Sequence, residues 1–83
     1  NPFNPSTTIS FTLAEESNVS LRIYDVAGRL VKDLISNEGL PAGKKEANWN
    51  GTDNNGKLAS AGVYFYVLDT GNNQATKRMT LVK

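Results

Sequence analysis

The side chains that could do chemistry in this 83-residue chain are carboxylates, hydroxyls and lysines, because it contains neither His nor Cys. Without His it lacks the commonest general base and metal ligand, and without Cys it lacks thiols and disulfides. A catalytic carboxylate pair needs two carboxyl groups in one cleft with separated pKa values. The carboxylates here fall mostly in predicted turns or on solvent faces: Asp25, Asp33, Asp53, Asp69, Glu15, Glu16, Glu38 and Glu46. We therefore expect no catalytic residue, no metal site, no cofactor and no enzyme.

Two smaller patterns lead to the same expectation. The run Asp53-Asn-Asn-Gly56 faintly resembles a calcium loop, but the closing Glu of that motif is absent. A turn in which the Asp side chain bonds its own backbone is the favoured interpretation. Ser60 would need a base to act as a nucleophile, and no Lys stands at a suggestive spacing.

Four aromatic residues raise the possibility of a sugar-binding surface. Trp49, Tyr24, Tyr64 and Phe65 could together form a stacking platform, as on β-sandwich carbohydrate modules. Core packing is the favoured alternative, because aromatics on alternating strands usually face inward.

The charge balance limits the kinds of partner. Nine basic and eight acidic residues are interspersed and give a net charge of +1. The Lys44-Lys45 and Lys77-Arg78 pairs are too sparse for a nucleic-acid patch. No apolar run approaches the roughly 20 residues of a membrane helix. We expect neither nucleic-acid binding nor membrane insertion.

The elements that must position these residues are short strands. Residues 7–13 and 19–24 alternate apolar and polar side chains, and we expect them to pair as a hairpin. Asp25-Val-Ala-Gly28 predicts a turn with Gly28 in a left-handed conformation. Residues 29–36 are predicted as a strand with an irregularity, residues 37–43 as a loop, and residues 44–49 as a strand with Ala47 and Trp49 on one face.

The stretch from Trp49 to Tyr66 organises the chain. It begins with a polar turn and a crossing segment, which contain Gly51, Gly56 and Gly62. Gly tolerates the positive φ that tight turns need. The apolar run of residues 63–68 then predicts the central strand. A hairpin loop over residues 69–73 and a last strand over residues 74–82 follow.

Together these elements predict an all-β fold, a small antiparallel Ig-like β-sandwich of about seven strands. One domain covers residues 1–83, with residues 1–6 as an extended lead-in held open by two prolines. The chain opens without Met, so we expect it to be a piece of a longer protein.

The central strand is apolar on both faces. The Gly62-Val-Tyr64 run resembles the corner of Ig-like sandwiches, where a Tyr follows a Gly and a buried residue lies two places later. This places Tyr64, Tyr66 and Leu68 toward the core with Trp49 across from them. Val63, Phe65 and Val67 then form a stripe on the outer face, which is either covered by a neighbouring segment or a contact surface. Of these two, cover by a neighbouring segment is the favoured alternative.

A series of motifs along the whole chain is similar to a known family. The series comprises Asn1-Pro-Phe-Asn-Pro-Ser-Thr-Thr-Ile9, Leu21-Arg-Ile-Tyr-Asp-Val-Ala-Gly-Arg29, Leu40-Pro-Ala-Gly43, Trp49-Asn-Gly-Thr-Asp-Asn-Asn-Gly56, Ser60-Ala-Gly-Val-Tyr-Phe-Tyr66 and Lys77-Arg-Met-Thr-Leu-Val-Lys83. It resembles the C-terminal sorting domain (type A) of type IX secretion cargo. It is similar also to the Ig-like domain of flagellar hook-capping proteins. The sorting-domain motif usually begins with an aromatic residue and a Pro, and this chain starts after them.

The sorting resemblance implies a non-catalytic module at the end of a secreted cargo protein. An outer-membrane translocon would recognise it and a sortase-like peptidase would commonly remove it. The protein would pass through the periplasm to the cell surface or beyond. The implied partners are that machinery and the upstream cargo domain. The implied contact residues lie on the last strand: Lys77, Arg78, Met79, Leu81, Val82 and Lys83.

Three functions thus follow from the sequence. The first is the sorting and anchoring module. The alternative is a structural Ig-like module of an extracellular or filamentous assembly, in which Val63, Phe65 and Val67 pack on a neighbouring subunit. The third and weakest is a carbohydrate-binding module that uses exposed aromatics.

Overall fold

A computed structural model describes residues 6–82, and six β-strands form within this range. They are β1 (Thr7–Leu13), β2 (Ser17–Tyr24), β3 (Leu30–Leu40), β4 (Gly43–Trp49), β5 (Gly62–Asp69) and β6 (Gln74–Leu81). The predicted lead-in lies outside the described residues except for Ser6, which is exposed. Among residues 6–82 there is no helix suited to crossing a membrane.

The strands form two antiparallel sheets, which confirms the predicted all-β sandwich. The larger sheet has the order β3-β2-β5-β6, and the smaller pairs β1 with β4. Strand β5 lies between β2 and β6, so the apolar run of residues 63–68 is an interior strand, as predicted. The described range holds six strands where the sequence predicted about seven.

The predicted hairpin between the first two strands is wrong. Strand β1 pairs with β4, with Ile9 opposite Ala47, whereas β2 pairs with β3 and β5. The turn over residues 14–16 therefore carries the chain from one sheet to the other. Alternation shows which face of a strand is buried but not which strand lies beside it.

Strand β3 is longer than predicted and absorbs most of the expected loop. It continues through Asn37, which has a positive φ of 48°, and ends at Leu40. Asn tolerates this conformation better than other residues with a Cβ. The predicted irregularity is confirmed, because the β2–β3 pairing shifts register at three points. The polar and Gly-containing run of residues 37–40 is thus an edge of the sheet and not a loop.

The hydrophobic core lies between the two sheets. Its buried side chains come from both of them: Ile9, Leu13, Val19, Leu21, Ile23, Trp49, Tyr64 and Leu81. In β1 and β2 these residues recur at every second or fourth position, as the alternation predicted. The core residue Trp49 ends β4 and positions the loop that follows.

Candidate functional site

The indole of Trp49 is the centre of the stretch that the sequence analysis singled out. It is fully buried, and its ring meets the Tyr64 ring edge-on at 5.2 Å between centroids and 72° between planes. The Trp49 Nε1–H donates to the Thr52 carbonyl oxygen at 2.8 Å. The Tyr64 hydroxyl donates to the Ser60 carbonyl oxygen at 2.6 Å. The predicted inward face of β5 is therefore confirmed, and Tyr64 makes the back-bond of a tyrosine corner.

Asp53 organises the turn between Trp49 and Tyr64. Its Oδ1 accepts hydrogen bonds from the Asn55 and Lys57 backbone N–H groups at 2.9 and 3.0 Å. This confirms the turn interpretation over the calcium loop, because the backbone already uses that carboxylate oxygen. Within residues 6–82, no three His, Cys, Asp or Glu side chains are grouped so as to hold a metal ion.

The four aromatics considered for sugar stacking do not share a surface. Trp49 and Tyr64 are buried in the core. Tyr24 and Phe65 are cross-strand partners on the outer side of the larger sheet, and both are half-buried. The sugar-platform hypothesis is therefore wrong, because burial removes two of its four members from solvent.

The outer-face stripe, defined as Val63, Phe65 and Val67, is half-buried along its length. Directly opposite residues on antiparallel strands share a face. Phe65 therefore lies between Tyr24 and Arg78, and Val67 lies between Arg22 and Thr76. The neighbouring side chains cover part of the stripe and leave part of it accessible to solvent. Any cover by residues 1–5 falls outside the described residues.

The other predicted contact residues, on the last strand, differ in burial. Lys77, Arg78 and Val82 are exposed, whereas Leu81 is 3% exposed in the core and Met79 packs against that core. Leu81 and Met79 are thus unsuited to contact a partner while the domain is folded. The sixth residue of the predicted set, Lys83, lies outside the described residues.

The loop that follows β4 makes hydrogen bonds to strand β3, which the sequence analysis missed. The Asn54 N–H donates to the Val31 carbonyl oxygen, and its Oδ1 accepts from the Asp33 N–H, both at 3.0 Å. Asp33 also faces Arg22, with 3.6 Å between its Oδ1 and the Arg22 Nε. No local pattern could show these bonds, because they join residues about twenty positions apart in the chain.

Asp25 holds the turn between β2 and β3. Its Oδ1 accepts from the Ala27 and Arg29 N–H groups at 3.0 and 2.9 Å, and its Oδ2 accepts from the Arg29 Nε at 3.1 Å. Gly28 has a φ of 85°, which confirms the predicted left-handed position. The hydrogen bond from the Arg29 backbone N–H is the main cause that holds the Asp25 pKa below its ordinary 3.8. Desolvation opposes it, and the Arg29 charge and the Ala27 N–H lower the pKa further.

This lowered pKa predicts a pH-dependent contribution to stability. A carboxyl with a depressed folded-state pKa stabilises the fold above its unfolded pKa, and that contribution is lost as the pH falls through the folded value. Asp25→Asn keeps the side-chain acceptor but loses the charge. Near pH 7 we expect the variant to unfold at a lower urea concentration than the native chain. The difference between their urea midpoints should shrink once the pH falls below 3.8, the ordinary pKa of Asp. Urea unfolding between pH 7 and pH 2 measures this, with the exposed Glu16→Gln as control. An equal difference at every pH would contradict it.

Comparison with known proteins places this sandwich in a family. The model of the FlgD Ig-like domain matches residues 3–74, most of the chain. The chain belongs to the FlgD Ig-like domain family. This confirms the similarity to flagellar hook-capping proteins, and the family is one of non-enzymatic structural domains.

A solved structure agrees with the family assignment. The domain superposes on the crystal structure of FlgD from P. aeruginosa with a TM-score of 0.71 and 25% sequence identity. The match covers 92% of this chain but 59% of the FlgD chain. The domain thus corresponds to little more than half of that protein. The search of curated proteins found no match.

Proposed function

We propose that this FlgD-type Ig-like domain is a non-catalytic structural module that contacts a neighbouring subunit of an extracellular or filamentous assembly. Membership of the FlgD Ig-like family is the observation that carries the proposal. The contact surface that we assign to it is the outer-face stripe on β5.

The composition of this face supports a contact role. Val63, Phe65 and Val67 supply apolar area on an interior strand, which is a rigid platform. Tyr24, Arg22 and Arg78 surround the stripe, and Tyr and Arg are enriched in protein interfaces. Arg78 forms no ion pair within the described residues, whereas Arg22 faces Asp33. A partner surface with an apolar centre and an acidic rim would complement this face.

Phe65→Ser tests the proposal. We expect it to reduce incorporation of the protein into its assembly by about tenfold or more, because truncating a central aromatic typically costs about 2 kcal/mol of binding. The matched control is Phe11→Ser, which removes a half-buried aromatic from the smaller sheet. Co-sedimentation with the assembly measures incorporation, and thermal unfolding shows whether each variant is folded. If both folded variants assemble as well as the native protein, the outer face is not the contact surface.

The sorting function remains a second candidate, which rests on the end of the chain. The family match stops at residue 74, while the motif series that resembles sorting domains continues through Lys77-Arg-Met-Thr-Leu-Val-Lys83. In this candidate an outer-membrane translocon would bind the exposed Lys77 and Arg78 on edge strand β6. The cargo would pass through the periplasm to the cell surface. A sortase-like peptidase would act on it there.

Deleting the last strand would not test this second candidate cleanly. The deletion would remove Leu81 and Met79 from the core, so failed export would report unfolding as much as lost recognition. The two candidates differ more sharply in their end products. A structural module stays in the mature protein, and a sorting module is commonly cleaved from it.

A further inference from the structure

One end of the sandwich carries exposed apolar side chains in or next to its turns. Val26 follows β2, Leu30 begins β3, and Leu58 lies between β4 and β5, with exposed fractions of 71%, 47% and 57%. Tyr24 lies opposite both Leu30 and Phe65, so the β2–β3 turn and the start of β5 are at the same end. We call Val26, Leu30 and Leu58 the end patch.

A groove separates two members of the end patch. Leu30 and Leu58 line a cavity of about 360 Å³, together with Val31 and Ala59. Asp25 and Asp53 also line it. The groove is large enough to accept an apolar side chain from another surface, and its lining offers polar groups that could fix orientation.

The exposure of these side chains is built into the fold. The Asp25 carboxylate holds the turn that carries Val26, through the N–H groups of Ala27 and Arg29. Leu58 follows the turn that Asp53 holds, and it pairs with Thr52 in an isolated bridge. Apolar groups held out on preorganised turns lose little entropy when they are bound, which favours a docking role.

The ends of the described chain lie at this same end of the sandwich. Thr7 starts β1 opposite Trp49, and Leu81 ends β6 opposite Gly62. Trp49 contacts Tyr64 two residues after Gly62, so Thr7 and Leu81 are both on the side where the end patch lies. Since the matched part is 59% of the P. aeruginosa FlgD chain, a relative of this domain is joined to further polypeptide.

We propose that the end patch docks the adjoining domain of the same polypeptide, which inserts an apolar side chain between Leu30 and Leu58. This rests on the proposed function only in placing the Ig-like domain within a longer structural protein. The outer-face stripe lies on β5, separated from Leu30 by Tyr24 of β2, so a neighbouring subunit could contact the stripe beside the docked domain. The proposal therefore assigns the intramolecular and intermolecular contacts to separate parts of the domain.

The small size of the patch favours a tethered occupant over a second copy of the chain. Stable complexes between separate proteins usually bury about 800 Å² on each partner, far more than three side chains provide. A covalently linked domain is held at an effective concentration in the millimolar range, where a small contact is enough. An adjoining domain would also be held close to the patch, because Thr7 and Leu81 lie at the same end of the sandwich.

The test uses the longer protein that carries this domain. We expect the double variant Leu30→Ser/Leu58→Ser to speed hydrogen exchange of the amides in residues 26–30 and 57–60 by about tenfold or more. Docking would suppress the local opening that lets these amides exchange, and the variant would lose the docked domain. Leu40→Ser is the matched control, since Leu40 is a half-buried leucine that ends β3 opposite Ser17, at the other end of the sandwich. We expect no change in that control. Phe65→Ser should likewise leave this exchange unchanged, which separates the test from that of the proposed function.

Two outcomes would overturn the inference. One is equal exchange in the native protein and the double variant, with both folded by circular dichroism. The other is protection that appears only as the protein concentration rises and disappears in the double variant, which would show that a second copy occupies the patch. Protection that is independent of concentration and lost in the double variant supports the adjoining domain.

Discussion

Trp49→Ala is expected to remove a large part of the stability of this domain. The Trp49 side chain is fully buried, and it contacts the Tyr64 ring and bonds the Thr52 carbonyl oxygen. Truncating such a residue costs about 3–5 kcal/mol. At about 0.05–0.15 kcal/mol per residue, a chain of 83 residues has about 4–12 kcal/mol to lose. The loss also frees the loop that carries Asp53 and Asn54, because Trp49 fixes its start.

The variant removes the single Trp of the chain and with it the usual fluorescence signal. Urea unfolding is therefore followed by far-UV circular dichroism. Trp49→Phe is the control, since it keeps a ring in the core but loses the bond to Thr52. We expect the control to lose about 1–2 kcal/mol, the order of one unmade hydrogen bond and a small cavity. If Trp49→Ala were no less stable than Trp49→Phe, Trp49 would not be the centre of the core.

Leu21→Ala is expected to have the next largest effect, about 2–5 kcal/mol. Leu21 has no exposed surface and lies on β2, between Ile35 of β3 and Leu68 of β5. Both neighbouring strands are held by backbone hydrogen bonds, so the site has little freedom to close around the missing side chain. The cost should therefore include a cavity as well as the lost burial.

The matched control for this prediction is Leu58→Ala, which makes the same chemical change at a side chain that is 57% exposed. A surface substitution of this kind usually changes stability by about 0.5 kcal/mol or less. The urea midpoints of both variants, measured on the same chain, give the comparison. Equal losses at the two positions would contradict the burial that the structure assigns to Leu21.

The faces of the strands could be predicted from the sequence because burial imposes a period of two. Ile9 and Leu13, and then Val19, Leu21 and Ile23, alternate with polar residues and are buried as expected. The inward direction of Tyr64 was also predictable, because the Gly that precedes it marks the corner. These features depend only on local sequence.

Strand partners and strand lengths could not be predicted in the same way. The choice of β4 as the partner of β1 depends on contacts between residues far apart in the chain. The continuation of β3 through Asn37 depends on its pairing with β2, which overrides the turn preference of the Asn-Glu-Gly run. The bonds from Asn54 to β3 could be found only in the folded structure.

Of the two candidate surfaces, one could be predicted from the sequence and the other could not. The stripe of Val63, Phe65 and Val67 was visible as an apolar run, and its outer position follows once Tyr64 faces inward. The end patch was not predicted, because Val26, Leu30 and Leu58 are separated in the sequence and come together only at the end of the sandwich. Similarity to sorting domains and hook-capping domains rests on overlapping motifs, so sequence alone left two functions open.

The end product of the longer protein tests the structural function most directly. Intact mass and terminal sequencing would be carried out on the protein recovered from the proposed assembly and, to test the sorting candidate, on any form recovered from the periplasm. We predict that both forms retain residues 7–82, because a structural module is part of the finished assembly. An assembled form that lacks this domain beside a periplasmic form that keeps it would contradict the account and identify the domain as a cleaved sorting signal.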